Sequence, residues 1–192
     1  MPTTREFYLA RNTIIEMLKN RDYVVTQETF DSLDEFMSND PTQQNLNFTV
    51  ETKDKKYVSI YFATEEKVNK KAIELILSDH TIKGISHIII ILPSKLNHSS
   101  LAFINNSSLR VELFLYSEIQ YNVLKHELVP KQTILQDVDG FLNKYKCTRE
   151  DLPIMRKTDI VARFLGGMVD DVVEINRKSR TAGESLYYRV IK

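Results

Sequence analysis

Apolar side chains recur along this chain in two rhythms, one helical and one alternating. Phe7, Ala10, Ile14, Ile15 and Leu18 fall at helical spacing and predict a helix over residues 5–20, with Thr3 or Thr4 available as N-cap. A short helix is predicted over 29–37. Ser38, Asn39, Asp40 and Pro41 would stop it, because the residue before a proline avoids helical angles. Residues 47–52 and 57–62 are β-branched and aromatic runs on either side of Lys53, Asp54, Lys55 and Lys56, which reads as a hairpin lacking only a glycine. Val68, Ala72, Leu75 and Ile76 share one face of a helix expected over 67–77. Residues 85–92 form a nearly unbroken apolar run, as in a strand buried on both sides. A helix over 94–105 and a strand over 109–116 complete the series. Such alternation implies right-handed crossovers and a parallel or mixed sheet, so the N-terminal part is α/β.

The pattern changes near residues 122–125. Four of the five glycines (Gly140, Gly166, Gly167, Gly183) lie beyond that point. Helices are expected over 137–145 and 159–165, the second opened by Asp159 and stopped by Gly166. Strands are expected over 172–177 and 186–191, joined by an exposed turn of Ser179, Arg180, Thr181, Ala182 and Gly183. The expected organisation is a three-layer α/β domain over 1–124 and a small two-layer α/β domain over 125–192.

Bulk properties narrow the function classes. Of 192 residues, 42% are hydrophobic and 27% charged, an ordinary balance for a soluble globular chain. Cys147 is the only cysteine, which excludes a disulfide framework or thiolate cluster and fits a reduced compartment. The longest apolar run, Ile88 to Leu92, is five residues and far too short to span a membrane. Arg5, Glu6 and Arg11 interrupt the N-terminus, so no signal-peptide layout is present, and an intracellular location is expected. Residues 1–124 carry 13 basic and 16 acidic side chains, net −3; residues 125–192 carry 13 and 10, net +3. Neither part has the marked basic excess of a self-sufficient nucleic-acid binder.

Candidate chemistry is sparse. Glu51 and Lys53, two apart on a predicted strand, would share a face and supply half of a metal-nuclease pattern. An upstream carboxylate in strand-end context is missing, since Asp40 stands before a proline, and a solvated strand face is the simpler reading. His80, His87, His98 and His126 have no metal-ligand spacing with one another or with Cys147. His87 reads as a core histidine, His126 as a structural hydrogen-bonding group, and Cys147 as a free thiol. Gly166 and Gly167 follow a helix and make no phosphate loop, and no serine sits in a nucleophile elbow. No cofactor is expected. Basic clusters occur at Lys53/Lys55/Lys56, Lys67/Lys70/Lys71 and Arg177/Lys178/Arg180.

Several blocks do stand out, in a fixed order. They are HELVP (His126, Glu127, Leu128, Val129, Pro130), the pair Leu152 and Pro153, and the D-x-VAR-x-x-G block from Asp159 to Gly166. A V-x-I-x-R-x-S-x-TAG run from Val173 to Gly183 and a closing Tyr188 and Arg189 follow. Together they resemble the C-terminal assembly domain of the fifth subunit of eukaryotic nuclear RNA polymerases, a domain that stands alone as a small polypeptide in archaeal RNA polymerases. Residues 22–27 (DYVVTQ) after the first helix resemble the same family, as does Leu92-Pro93-Ser94, which is similar to its T-P-S block.

The resemblance implies a non-catalytic polymerase subunit with a nuclease-like but inactive N-terminal jaw domain. It implies docking of the C-terminal domain on the largest subunit, with the jaw reaching toward downstream duplex DNA through weak backbone contacts. His126, Glu127, Leu128, Val129, Pro130, Arg163, Arg177, Ser179, Thr181 and Gly183 are then the expected subunit-interface residues. Lys53, Lys55, Lys56, Ser94 and Lys95 are the expected DNA-proximal ones. Three departures fall on that face, the last two altering its charge: Ile160 for the family's proline, Arg180 for its glutamate, and Met168, Val169 and Asp170 for its basic residues. A nuclear location follows for a cellular eukaryote, a virion or viral factory for a large DNA virus. A metal-dependent nuclease using Glu51 and Lys53, and an adaptor in a transcription regulatory complex, are the alternatives.

Overall fold

A computed structural model describes residues 2–39, 46–179 and 183–192. The chain divides into two compact units, Met1–Tyr121 and Asn122–Lys192. The division falls three residues before the expected one. Asn122 already belongs to the second unit: its side chain accepts the Leu124 amide at 3.0 Å, and Val123 is buried.

In the first unit, α1 (Thr4–Asn20) opens with a reciprocal cap. The Glu6 amide donates to Thr3 Oγ1 at 3.2 Å and the Thr3 amide to Glu6 Oε2 at 2.7 Å, satisfying two donors that the first turn would otherwise orphan. Its inner face buries Ala10, Ile14, Ile15 and Leu18. Helix α2 (Leu33–Ser38) starts four residues later than expected. Asn12 explains the delay, because its amide donates to the Phe30 carbonyl at 2.8 Å while its oxygen accepts the Phe30 N–H at 3.1 Å, so Phe30 is held out of the helix. The expected stop at Asp40 and Pro41 lies outside the described residues.

Strands β1 (Phe48–Glu51) and β2 (Tyr57–Phe62) form the hairpin. Lys55 takes the left-handed conformation (φ 59°) that a glycine would ordinarily supply. Helices α3 (Lys70–Ile82) and α4 (His98–Asn105) both begin later than expected, because Asn69 and Asn97 are their N-caps. These side chains accept the amides of Ala72 and Ser100, each at 2.9 Å. With β3 (His87–Leu92) and β4 (Arg110–Leu115), the sheet order is β1-β2-β3-β4. The first pairing is antiparallel and the other two parallel. Ile88, Ile90 and Leu92 pack against Ile73, Leu77 and Ile104 of α3 and α4. The opposite face receives α1, giving three layers.

That second face contains a buried charge. Glu112 of β4 takes a forked contact from Arg21, with Nη2 to Oε2 at 2.7 Å and Nη1 to Oε1 at 3.3 Å. The Arg21 side chain is only 3% exposed and that of Glu112 14%. Arg110 Nη2 donates to Oε1 at 2.9 Å. His87 Nε2 lies 2.9 Å from the same oxygen. Burial works against the ionised carboxylate, but Arg21 and then His87 outweigh it and hold Glu112 well below the usual carboxylate range. His87 is thus a core histidine, as expected.

The second unit is built on β5 (Lys131–Ile134), β6 (Ile154–Met155), β7 (Val172–Ser179) and β8 (Gly183–Ile191), in the order β5-β7-β8-β6. The edge strands β5 and β6 were not expected. One carries a single large apolar residue and the other has only two residues, so neither shows a readable period. Helix α5 (Val138–Tyr145) is capped by Asp137 and places Phe141 4.2 Å from the Tyr188 ring. Helix α6 (Ile160–Leu165) is capped by Asp159, whose carboxylate accepts the Val161 amide at 2.8 Å, and ends at Gly166 with φ 72°. Phe164, Val172, Val173, Val190 and Ile191 fill the core. No helix among the described residues is long and apolar enough to cross a membrane.

Removing the carboxylate takes the Glu112 counter-charge away from the buried Arg21 guanidinium. Glu112→Ala should therefore destabilise the chain by about 3–5 kcal/mol in urea unfolding. Because the folded state depresses this acid, the unfolded chain binds its proton more readily. The stability it contributes is complete above its ordinary value of 4.5 and is lost as pH falls below that value. Glu112→Gln should flatten the acid limb of a stability-against-pH curve. Gly183 has φ 70° with open space where a Cβ would stand, so Gly183→Ala should cost only the left-handed penalty, about 1–2 kcal/mol.

Candidate subunit interface

The HELVP segment is a tight turn feeding β5. A 3₁₀ turn at Val123–Lys125 precedes it. The His126 amide donates to the Val123 carbonyl at 3.2 Å and the Val129 amide to the His126 carbonyl at 2.9 Å. His126 Nδ1 accepts the Leu128 amide at 3.2 Å, the structural hydrogen bond expected of it, which puts the neutral ring's proton on Nε2. This folding exposes Glu127 and leaves Leu128 84% accessible, while Val129 and Pro130 are half-buried. An apolar side chain held out by a hydrogen-bonded turn has no partner within its own core.

Two further expected elements meet this turn. Helix α6, which carries the half-buried Arg163, packs against the Val123–Lys125 turn. Lys131 of β5 lies opposite Asn176 of β7, so Pro130 leads into the last paired position, one residue short of Arg177. Three blocks separated in sequence therefore converge at one corner of the unit. Arg177 is exposed and pairs across the ribbon with Ser185; Ser179 and Gly183 are the last paired residues before the turn. Thr181, with Arg180 and Ala182, lies outside the described residues. On the neighbouring strand, Tyr188 donates its hydroxyl to Glu174 at 3.0 Å. Burial, and then that carboxylate, push the phenol up to about 12. The motif reading passed over Leu186 and Tyr187, which are 54% and 49% exposed. Alternation along β8 was the available signal, since it places Tyr187 and Arg189 on one face.

The expected DNA-proximal residues lie on two separate surfaces. Lys53, Lys55 and Lys56 sit at the β1–β2 tip, before the N-terminal end of β2. Ser94 and Lys95 are exposed in the loop after the C-terminal end of β3. Because β2 and β3 run parallel, one strand length, about 20 Å, separates them.

Lys53 corrects a further expectation. It has left the strand for the turn, where its ammonium pairs with Asp22 at 2.9 Å, so it shares no strand face with Glu51. The Glu51 carbonyl is bridged to the Val24 amide at 2.8 Å. No group of three or more acidic, histidine or cysteine residues that could hold a metal occurs among the described residues. Cys147 is half-buried beside Thr148 and Arg149.

Comparison with known proteins agrees with these elements. Residues 2–79 match the family "RNA polymerase Rpb5, N-terminal domain", and residues 121–191 match "RNA polymerase Rpb5, C-terminal domain". The chain is 28% identical over 203 residues to the RPABC1 subunit of DNA-directed RNA polymerases I, II and III of Caenorhabditis briggsae, covering 98% of this chain and 96% of the relative. It is 28% identical over 195 residues to subunit 5B of RNA polymerases IV and V of Arabidopsis thaliana, covering 97% and 89%. It is 42% identical over 74 residues to the Rpo5 subunit of the Methanosarcina mazei polymerase, covering 38% of this chain and 95% of that one. With both domain families matched in order, and an archaeal single-domain relative covered almost whole, the chain belongs to the Rpb5 family.

Proposed function

We propose that this chain is a non-catalytic subunit of a multisubunit DNA-directed RNA polymerase, attached through its C-terminal unit to the largest subunit. The N-terminal unit is the jaw domain, reaching toward downstream duplex DNA, and the C-terminal unit is the assembly domain. The observation that carries this reading is the convergence of HELVP, α6 and the Arg177 end of the ribbon in a chain matching both Rpb5 domains. Leu128, exposed at that corner, suits an apolar socket on a partner, because burying its side chain there removes apolar surface from water. Nucleotide addition belongs to the large subunits, and this chain supplies no active site. The nuclease alternative loses its footing with Lys53 held in the turn by Asp22. The nucleus is the corresponding location, since the Caenorhabditis and Arabidopsis relatives serve eukaryotic polymerases.

DNA contact in this reading is weak and follows the phosphate backbone. A net charge of −3 over residues 1–124 gives no long-range attraction, so lysines act only when the assembled enzyme holds them against the duplex.

Co-expressed with the largest subunit of its source polymerase, the full-length chain should form a complex that survives gel filtration. Leu128→Asp, at a position too exposed to disturb folding, should weaken that complex about tenfold or more. An unweakened complex would remove the corner as the docking site. In an assembled elongation complex, alanine at Lys53, Lys55 and Lys56 should reduce the salt dependence of complex lifetime by up to about three slope units, one per lost phosphate contact. An unchanged slope would leave the tip without a DNA role.

A further inference from the structure

The β7–β8 ribbon has two chemically distinct faces. Residues opposite each other in register share a face, and that face alternates along each strand. One face carries Glu174, Asn176, Lys178, Glu184, Leu186 and Tyr188, and both acids of the ribbon are on it. They are occupied: Glu174 accepts the Tyr188 hydroxyl at 3.0 Å and Glu184 the Asn176 amide at 3.0 Å.

The other face carries Ile175, Arg177, Ser185, Tyr187 and Arg189 and has no acid. Tyr187 stands opposite Ile175, with Arg189 two residues along its own strand and Arg177 diagonally across. Tyr187 is 49% exposed, and both arginines are exposed. No ion pair to either arginine occurs among the described residues. Ile175, on the same face opposite Tyr187, is buried, so the ribbon is anchored where the cluster stands.

We infer that the Arg177–Tyr187–Arg189 face receives an acidic, extended segment of the partner subunit, its carboxylates meeting the two guanidinium groups and its backbone lying across the tyrosine ring. This inference rests on the subunit reading and adds the chemistry of the partner at the ribbon. Charge complementarity selects the occupant. Guanidinium forks match carboxylates, and tyrosine and arginine are the residues that most often anchor interfaces. A nucleic-acid strand is the weaker fit, because one ring offers a stacking place for a single base and residues 125–192 have a net charge of only +3.

The test uses full-length chain and the recombinant largest subunit of its source polymerase, with affinity measured across a sodium chloride series. Arg177→Gln combined with Arg189→Gln should weaken binding about tenfold or more at low salt and flatten the salt dependence. Tyr187→Ala should weaken it comparably, whereas Lys178→Ala, on the opposite face, should change it less than about twofold. Arg177→Lys with Arg189→Lys keeps the charge and should preserve the salt dependence, which separates lost charge from altered folding. If wild type binds and the double glutamine variant binds equally well, this face is not the site although the subunit reading stands. If wild type does not bind, the subunit reading fails and this inference with it. Tyr187-dependent binding of a 20-nucleotide single-stranded RNA by the free chain, with subunit affinity unaffected, would replace the acidic segment by nucleic acid.

Discussion

A carboxylate set into the middle of a strand between two apolar layers cannot stay charged unless cations come to it. Glu112 imposes that condition on the N-terminal unit. Arg21 meets it from the C-terminal end of α1, 91 residues away, while Arg110 meets it from two residues back on the same strand. The ion pair thereby fixes where the first helix lies on the sheet. Apolar burial alone would leave that orientation loosely specified, because hydrophobic attraction has no direction. Exchanging the whole network for well-packed apolar residues can be neutral in stability, whereas removing one partner alone is costly. Arg11 shows the contrasting solution. Buried with no carboxylate partner among the described residues, it donates to the Glu28 carbonyl at 2.9 Å and lies 4.6 Å from the Phe30 ring centroid, pinning the extended segment after α1.

The C-terminal unit is organised around a ribbon longer than the strands that flank it. At its base, Val172, Val173, Val190 and Ile191 are buried, and β5 and β6 pair only with that end. Beyond Asn176 the two strands have only each other, so their outer residues have no core to enter. The HELVP turn delivers the chain to the boundary between these regimes, and its hydrogen bonds expose Leu128 there. In the proposed reading, docking would fall where a rigid base meets a free end, which combines fixed geometry with available side chains.

Much of this was legible in the sequence, for identifiable reasons. β3 was readable because all six of its residues are buried and the run is continuous. α6 was readable because Asp159 and Gly166 mark both ends. The starts of α3 and α4 were missed because apolar spacing continues upstream of the true caps, and only the asparagine side chains decide where the first turn closes. The start of α2 depends on Asn12, eighteen residues earlier, which no local pattern can report. β5 and β6 acquire strand geometry from β7 and β8 rather than from their own residues. Glu112 within RVELFL was a visible irregularity, but naming Arg21 as its partner requires the fold. The motif blocks were readable from their order; the packing of α6 on the turn before HELVP, and the separation of the two lysine-bearing surfaces, came only from the fold.

The most direct measurement of the central claim is the stoichiometry of the assembly containing this chain. Affinity purification of the tagged, full-length chain from cells of its source, followed by quantitative mass spectrometry, reads it. As a polymerase subunit the chain should elute in equimolar amounts with the two largest subunits, in a complex active in promoter-independent RNA synthesis. Recovery without those subunits, or at a small fraction of their abundance in an inactive complex, would contradict the assignment.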